Sequence, residues 1–375
     1  MILGASRPAG AVSLSAFVAV AVLATALAVS SNSSLLARGL AGGVVAHPNR
    51  GTSSSEAPTP IQATLPVARN QAESDFEPCQ GVGTPPPQDR GETGPWAMRL
   101  MIAYSDDGLT WTRANRVLSD QADVPDAIVD DDGTLRVYYV TWCPTPVPNR
   151  TVVALSGDGG QTWRYRRVTI NGIGAQQPSA VDPDVIRLPD GRWRLFFTSA
   201  PGGGPGEPRS YSAISDDGIT FQVEAGARLT VDGRSVVDPS VVRVGDTWHL
   251  FAGGRTDRPG ANWHAVSADG LDFTRVDELV ADRIIIANGI QVPNGSRIYG
   301  FRHTGGRESR AFDVRSIFTA EGTTWTVEPG ARLTLDTAAG LESVLVKDPA
   351  VTRLRDGRYV LIYVTVIPGY EVGRR

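Results

Sequence analysis

One short pattern recurs five times after Trp96 and constrains this chain more than any other feature. It reads YSDDGLTW (Tyr104 to Trp111), LSGDGGQTW (Leu155 to Trp163), ISDDGITF (Ile214 to Phe221), VSADGLDF (Val266 to Phe273) and FTAEGTTW (Phe318 to Trp325). Its acids, Asp107, Asp158, Asp217, Asp269 and Glu321, are separated by 51, 59, 52 and 52 residues, a period that suits four short strands with their turns. EAGARLTVD from Glu224 and EPGARLTLD from Glu328 lie 104 residues apart, twice that period. Each motif has hairpin chemistry: Ser or Thr and Asp bond turn N–H groups, Gly supplies a positive φ, and the terminal Trp or Phe anchors neighbouring sheets.

A third repeat supplies the rest of each unit. DVPDAIVDDDGTLRVYYV from Asp123, DPDVIRLPDGRWRLFFT from Asp182, DPSVVRVGDTWHLFAGG from Asp238, a degenerate ANGIQVPNGSRIYGFRH from Ala287 and DPAVTRLRDGRYVLIYV from Asp348 each read strand, turn, strand. The last copy lacks a following turn motif and the first turn motif lacks a preceding hairpin, so circular closure is the simplest reconciliation. The expected fold is all-β: a five-bladed β-propeller of four-stranded blades, closed by N- and C-terminal strands sharing one blade. If blades run outward from the axis, the starts of the innermost strands ring one mouth of a central channel. The turn motifs then lie on the opposite face. Long loops at Thr141–Arg150, Ser199–Arg209, Arg255–Asn262 and Thr304–Arg310 overlook the same mouth.

Composition agrees and excludes alternatives. With 41 Gly and 26 Pro in 375 residues the chain is rich in turn chemistry. A formal net charge of −4 argues against nucleic acid as a partner. Thirty-five of the 36 basic residues are Arg, Lys347 being the sole Lys. Residues 1–28, with Arg7 ahead of an apolar run and small residues up to Ala28, read as a signal peptide or an uncleaved signal anchor. The chain is therefore expected to be secreted or extracytoplasmic, with membrane association only through residues 9–29. Residues 29–95, rich in Ser, Pro and Gly, read as a mostly disordered linker, and 96–375 as the propeller. Export permits a disulfide between Cys79 and Cys143. His47, His249, His264 and His303 show no metal-ligand spacing, so no metal or other cofactor is expected; Ca²⁺ in an Asp-rich channel is the one alternative.

The turn motif resembles the Asp box of sialidases and other β-propellers, with full spacing at Ser156–Trp163. The Asp-Pro blade starts resemble those of the five-bladed arabinanase, levansucrase and invertase type of glycosidase, over Trp96 to Arg375. That resemblance implies a glycoside hydrolase acting on glycans at the axial mouth. It carries Asp126 (or Asp123), Asp182 and Asp238 over as the acids at inner-strand starts. The Glu that serves as acid in that superfamily has no counterpart at a blade start here. Glu207, Glu308 and Glu342 are the candidates on the correct face, with Glu207 foremost. Asp123, Asp348, Trp142, Arg255 and Trp263 are candidates for sugar binding, since carboxylates accept hydroxyl hydrogen bonds and aromatic faces stack on sugar rings. The alternative is a non-catalytic propeller that binds glycans or proteins, its Asp ring bonding backbone N–H groups of adjacent blades; on either reading the chain is expected to be a monomer. An exo-sialidase fits less well, because the six-bladed sialidases carry an early Phe-Arg-Ile-Pro motif that is absent here.

Overall fold

Turn residues at a fixed period break the apolar segments into short strands, and a computed structural model shows how they assemble. It describes residues 74–85, 94–143, 150–173, 180–199, 207–304 and 312–370. The signal segment, the linker before Ser74 and the candidate Glu308 lie outside the described residues. Strands β1 (Met98–Ser105) and β2 (Thr112–Asp120) come first. Blade 1 follows as β3 (Ala122–Val129), β4 (Leu135–Thr141), β5 (Thr151–Ser156) and β6 (Arg164–Arg167). After β7 (Thr169–Asn171), blade 2 comprises β8 (Val181–Arg187), β9 (Trp193–Ser199), β10 (Arg209–Ser215) and β11 (Thr220–Val223). Blade 3 is β12 (Val237–Val244), β13 (Thr247–Gly253), β14 (Asn262–Ser267) and β15 (Thr274–Leu279). Blade 4 is β16 (Ile285–Val292), β17 (Gly295–His303) and β18 (Phe312–Thr319), with a fourth strand broken into β19 (Thr326–Val327) and β20 (Leu333–Thr334). Blade 5 joins β21 (Ser343–Arg353) and β22 (Tyr359–Val366) to β1 and β2, in the order β2-β1-β22-β21.

The five sheets form a five-bladed propeller, not the six-bladed sialidase architecture, and there is no α-helix among the described residues. Blade 2 departs from four strands, because β7 adds in parallel to the outer edge of β11. The inner strands β3, β8, β12, β16 and β21 pack on one another around the axis. Strands between axis and rim are covered on both faces by neighbouring blades. β22 is accordingly buried along its whole length and reads as an apolar run instead of an alternation, whereas the outer strand β15 is mostly exposed. Each such Leu, Ile or Val contributes roughly 1.5–3 kcal/mol by burial.

The turn motifs join blades as well as strands. In each of four, Asp107, Asp158, Asp217 and Asp269 accept two turn N–H groups while the preceding Ser hydroxyl caps a glycine N–H. A tyrosine of the preceding blade then donates to a motif glycine carbonyl: Tyr104 to Gly159, Tyr138 to Gly218 and Tyr299 to Gly108.

Residues 74–85, expected to be linker, instead pack on blades 1 and 5. The Asp75 N–H donates to the Tyr165 carbonyl at 2.8 Å, Phe76 is buried against Tyr165, and Gly81 N–H donates to Asp120. A Cys79–Cys143 disulfide pins this segment.

Candidate functional site

Every inner strand except β16 carries an X-Pro-Y step at its axial start. The steps are Val124-Pro125-Asp126, Asp182-Pro183-Asp184, Asp238-Pro239-Ser240 and Asp348-Pro349-Ala350. The X residue takes a positive φ in all four (45°, 54°, 51° and 43°), and the ladder to the second strand slips there. Asp tolerates this left-handed conformation better than most residues, whereas Val124 is a β-branched outlier. The bulge turns X and Y toward the axis at two different depths. In blade 4 the step is one residue shorter and Asn288 occupies the Y position. Gly289 follows because a Cβ there would sit 2.8 Å from Val242 of blade 3.

The Y residues form the deeper tier, and they clasp blades. Asp126 accepts the N–H of Val185 in blade 2 (2.8 Å), Asp184 that of Val241 in blade 3 (3.1 Å), and Asn288 that of Val351 in blade 5 (2.8 Å). In each case the donor follows the Y residue of the next blade. Asn288 also donates across the axis to Asp126 at 3.0 Å. Asp126 is thus already committed at both oxygens. Its carry-over as a catalytic acid at the mouth is corrected: alignment on the prolines places it with Asp184, one tier below Asp182 and Asp238. Burial raises its pKa to about 6 despite these hydrogen bonds, and burial next to Asp126 raises that of Asp184 well above the ordinary value.

The shallower tier holds Asp182, Asp238, Asp348, Asp123 and Lys347. Lys347 donates to Asp123 at 2.7 Å and to Asp348 beside it. Burial alone lowers an ammonium pKa, but these two carboxylates outweigh it and raise that of Lys347 above the ordinary lysine value. Asp123 also accepts the N–H of Val124 at 3.0 Å. Opposite them Asp182 and Asp238 are hydrogen-bonded to each other. Burial and the charge of Asp182 push Asp238 well above the usual carboxylate range, which favours its protonated form. Burial raises Asp182 to about 6 and Asp348 to about 7, the latter against the pull of Lys347. One oxygen of Asp182 is buried without a hydrogen-bond partner. Thr198 fixes the pair by accepting the Asp238 N–H at 3.0 Å.

The remaining candidates do not converge on this cluster. Glu207 is bonded to the exposed Arg255 at 3.2 Å, so the two form a rim pair. Glu342 is sealed in blade 5 by Arg113, the Tyr363 hydroxyl and the Asp336 N–H. Trp263, expected to stack on sugar, is fully buried; its indole N–H donates to the Ser235 carbonyl at 3.0 Å. It is a core residue, because its strand lies under the next blade instead of in the loop. Trp142 is half-buried, with the Arg150 guanidinium 4.2 Å above its ring and Trp96 against its edge. Sequence reasoning missed Lys347 as a site residue, although its being the only lysine and its place next to Asp348 were visible. It also missed Asp184, which alignment on the prolines finds. Among the described residues no group of His, Cys, Asp and Glu is arranged to hold a metal ion.

The fold is similar to that of a thermostable family-43 glycoside hydrolase, with TM-score 0.51 at 13% identity over 68% of this chain and 95% of that one. It is likewise similar to an endo-1,4-beta-xylanase from Bacteroides thetaiotaomicron, with TM-score 0.51 at 16% identity over 67% of this chain and 87% of the other. The shared feature is the five-bladed propeller. No family profile and no curated protein matches the chain in sequence.

Proposed function

We propose that the protein is a carbohydrate-active propeller whose acidic mouth hydrolyses glycosidic bonds. The observation that carries this reading is the meeting, in one cluster, of the facing Asp182 and Asp238 carboxyls, whose burial favours the protonated form, with Asp123, which is held by the Lys347 ammonium and the Val124 N–H. Glycoside hydrolysis needs one of each: an acid to protonate the leaving oxygen, and a carboxylate to activate water or attack the sugar carbon. In this reading Asp238 is the acid, Asp182 sets its proton affinity, and Asp123 is the second carboxylate. The Asp238 proton passes to the leaving oxygen as the C–O bond breaks, while a water that gives one proton to Asp123 forms the new C–O bond at the sugar carbon; exchange with solvent then returns the proton from Asp123 to Asp238. The propeller's likeness in fold to glycoside hydrolases supports the substrate class. The Cys79–Cys143 disulfide supports an extracytoplasmic site of action.

A second reading, glycan binding without turnover, is favoured by the ties of Glu207 and Glu342 to arginines away from the cluster. A panel of aryl glycosides assayed between pH 5 and 7, with a glycan array in parallel, separates the two. Asp238→Asn is expected to lower turnover by roughly 10²–10⁴-fold while circular dichroism stays unchanged. Array binding without turnover selects the second reading, and neither turnover nor binding rejects both.

A further inference from the structure

We propose that the other end of the channel is a separate binding site for a small amphipathic anion, whose carboxylate or phosphate head is held by Arg187, Arg243 and Arg353. Below the Asp126–Asn288 bridge the axis widens into a cavity of ≈ 550 Å³ that ends at the turns between first and second strands. That volume lies in the range of small-molecule sites. Its walls are aliphatic, from Ala127, Val185, Val242 and Ile290 among others. This is the wrong surface for a sugar and the right one for an apolar stem.

The arginines occupy one repeated position, three residues after Y, in blades 2, 3 and 5. Each is paired across strands with an aromatic residue, Arg187 with Trp193, Arg243 with Trp248 and Arg353 with Tyr359. The guanidinium carbons lie 4.3, 5.7 and 5.7 Å from those ring centroids. Stacking of this kind fixes a guanidinium plane without consuming its N–H donors. The equivalent residues in blades 1 and 4 are Val129 and Gln291, so cationic side chains line three of the five sides.

The donors are incompletely used. The Nε atoms of Arg187 and Arg243 are buried without an acceptor, and Arg353, whose Nε donates to the Gly357 carbonyl at 3.1 Å, has no carboxylate partner among the described residues. Arg187 does face Asp130 and Asp131, and Arg243 faces Asp246, at the rim. An arriving head must share those two arginines, whereas Arg353 is open to it. At the floor, Asp126 and Asp184 are engaged by the N–H groups of Val185 and Val241 and by the Asn288 amide, which offset part of the negative charge beneath the cationic ring. Arginine forks on a carboxylate or phosphate give charge-assisted hydrogen bonds, about twice as strong as neutral ones.

The site is independent of the acidic mouth, and its test does not use turnover. Isothermal titration calorimetry on the full chain would compare decanoate, octyl phosphate, decanol and inorganic phosphate, with the amphiphiles below their micelle concentrations. At least one of decanoate and octyl phosphate is expected to bind tighter than about 1 mM, and the stronger of the two identifies the head group. Decanol and inorganic phosphate should each bind at least about tenfold more weakly than that ligand. The double variant Arg243→Gln/Arg353→Gln should weaken the anionic amphiphile at least about tenfold and leave decanol unchanged. Ile290→Trp, which fills the cavity, should abolish binding. Lack of binding by both amphiphiles, a smaller loss in the double variant, or inorganic phosphate equal to octyl phosphate would overturn the proposal. Thermal melts confirm that each variant is folded.

Discussion

Aspartates at the axis and aspartates at the turn motifs are the same residue in opposite states. Asp269 accepts the N–H groups of Asp272 and Leu271 and the Ser267 hydroxyl in an open turn, which lowers its pKa to about 2. Asp126, Asp182 and Asp348 are enclosed by blades, and burial raises them to about 6, 6 and 7. The difference lies in solvent access and in the number of donors aimed at each carboxylate. Turn geometry supplies several N–H donors to the exposed aspartates. At the axis, five strands bring carboxylates together faster than backbone donors can compensate, and a single lysine is left to balance them.

The largest break in that comparison should come from Lys347→Met. It strands Asp123 and Asp348 without their cation, so a loss of about 3–5 kcal/mol is expected in urea denaturation at pH 7, with partial recovery at pH 5. A loss below about 1 kcal/mol would mean that the ring does not depend on this ion pair. Next comes pH itself. Because folded-state pKa values of about 6 to 7 stand above the ordinary 3.8, the folded state binds more protons in that window. Stability contributed by the axial aspartates is full below pH 3.8 and is lost as pH rises through about 6 to 7. The effect is on the order of 3 kcal/mol for each such aspartate. Asp126→Asn, which keeps an acceptor for Val185, should flatten part of this slope; an unchanged slope would show that Asp126 does not titrate there. Asp126→Ala removes that acceptor and should cost about 1–3 kcal/mol by denaturation below pH 6 and less at pH 7, while leaving glycoside turnover intact. Loss of turnover with the fold preserved would return Asp126 to the chemistry. The smallest effect is expected from Asp269→Ala, no more than about 1 kcal/mol. The sign of its pH dependence is reversed: the stability from Asp269 is present above pH 3.8 and lost as pH falls to about 2. Melts between pH 2 and 5 on the variant and the parent measure it.

Much of the fold was legible because strand period and turn chemistry are local. The recurring Ser, Asp, Gly and Trp or Phe positions mark hairpins wherever they occur, and a period near 52 residues leaves room for little but a four-stranded unit. The site was legible only in part. Asp182, Asp238, Asp348 and Asp123 do come together, since all sit at inner-strand starts. Asp126 was misplaced by one tier, because counting from the first acid of each copy ignores the bulge at X-Pro-Y. Trp263 was misread because its exposure depends on the neighbouring blade, which sequence spacing does not reveal.

The sequence alone determined the unit: its strands, its turns, the count of five and the residue types that reach the axis. These depend on interactions between residues a few positions apart and on a repeat that can be read directly. Only the tertiary structure decided which acid clasps a neighbouring blade, which is buried beside another carboxyl and which meets Lys347. Protonation and partnership at the axis arise from residues more than fifty positions apart, held within 3 Å by closure of the ring.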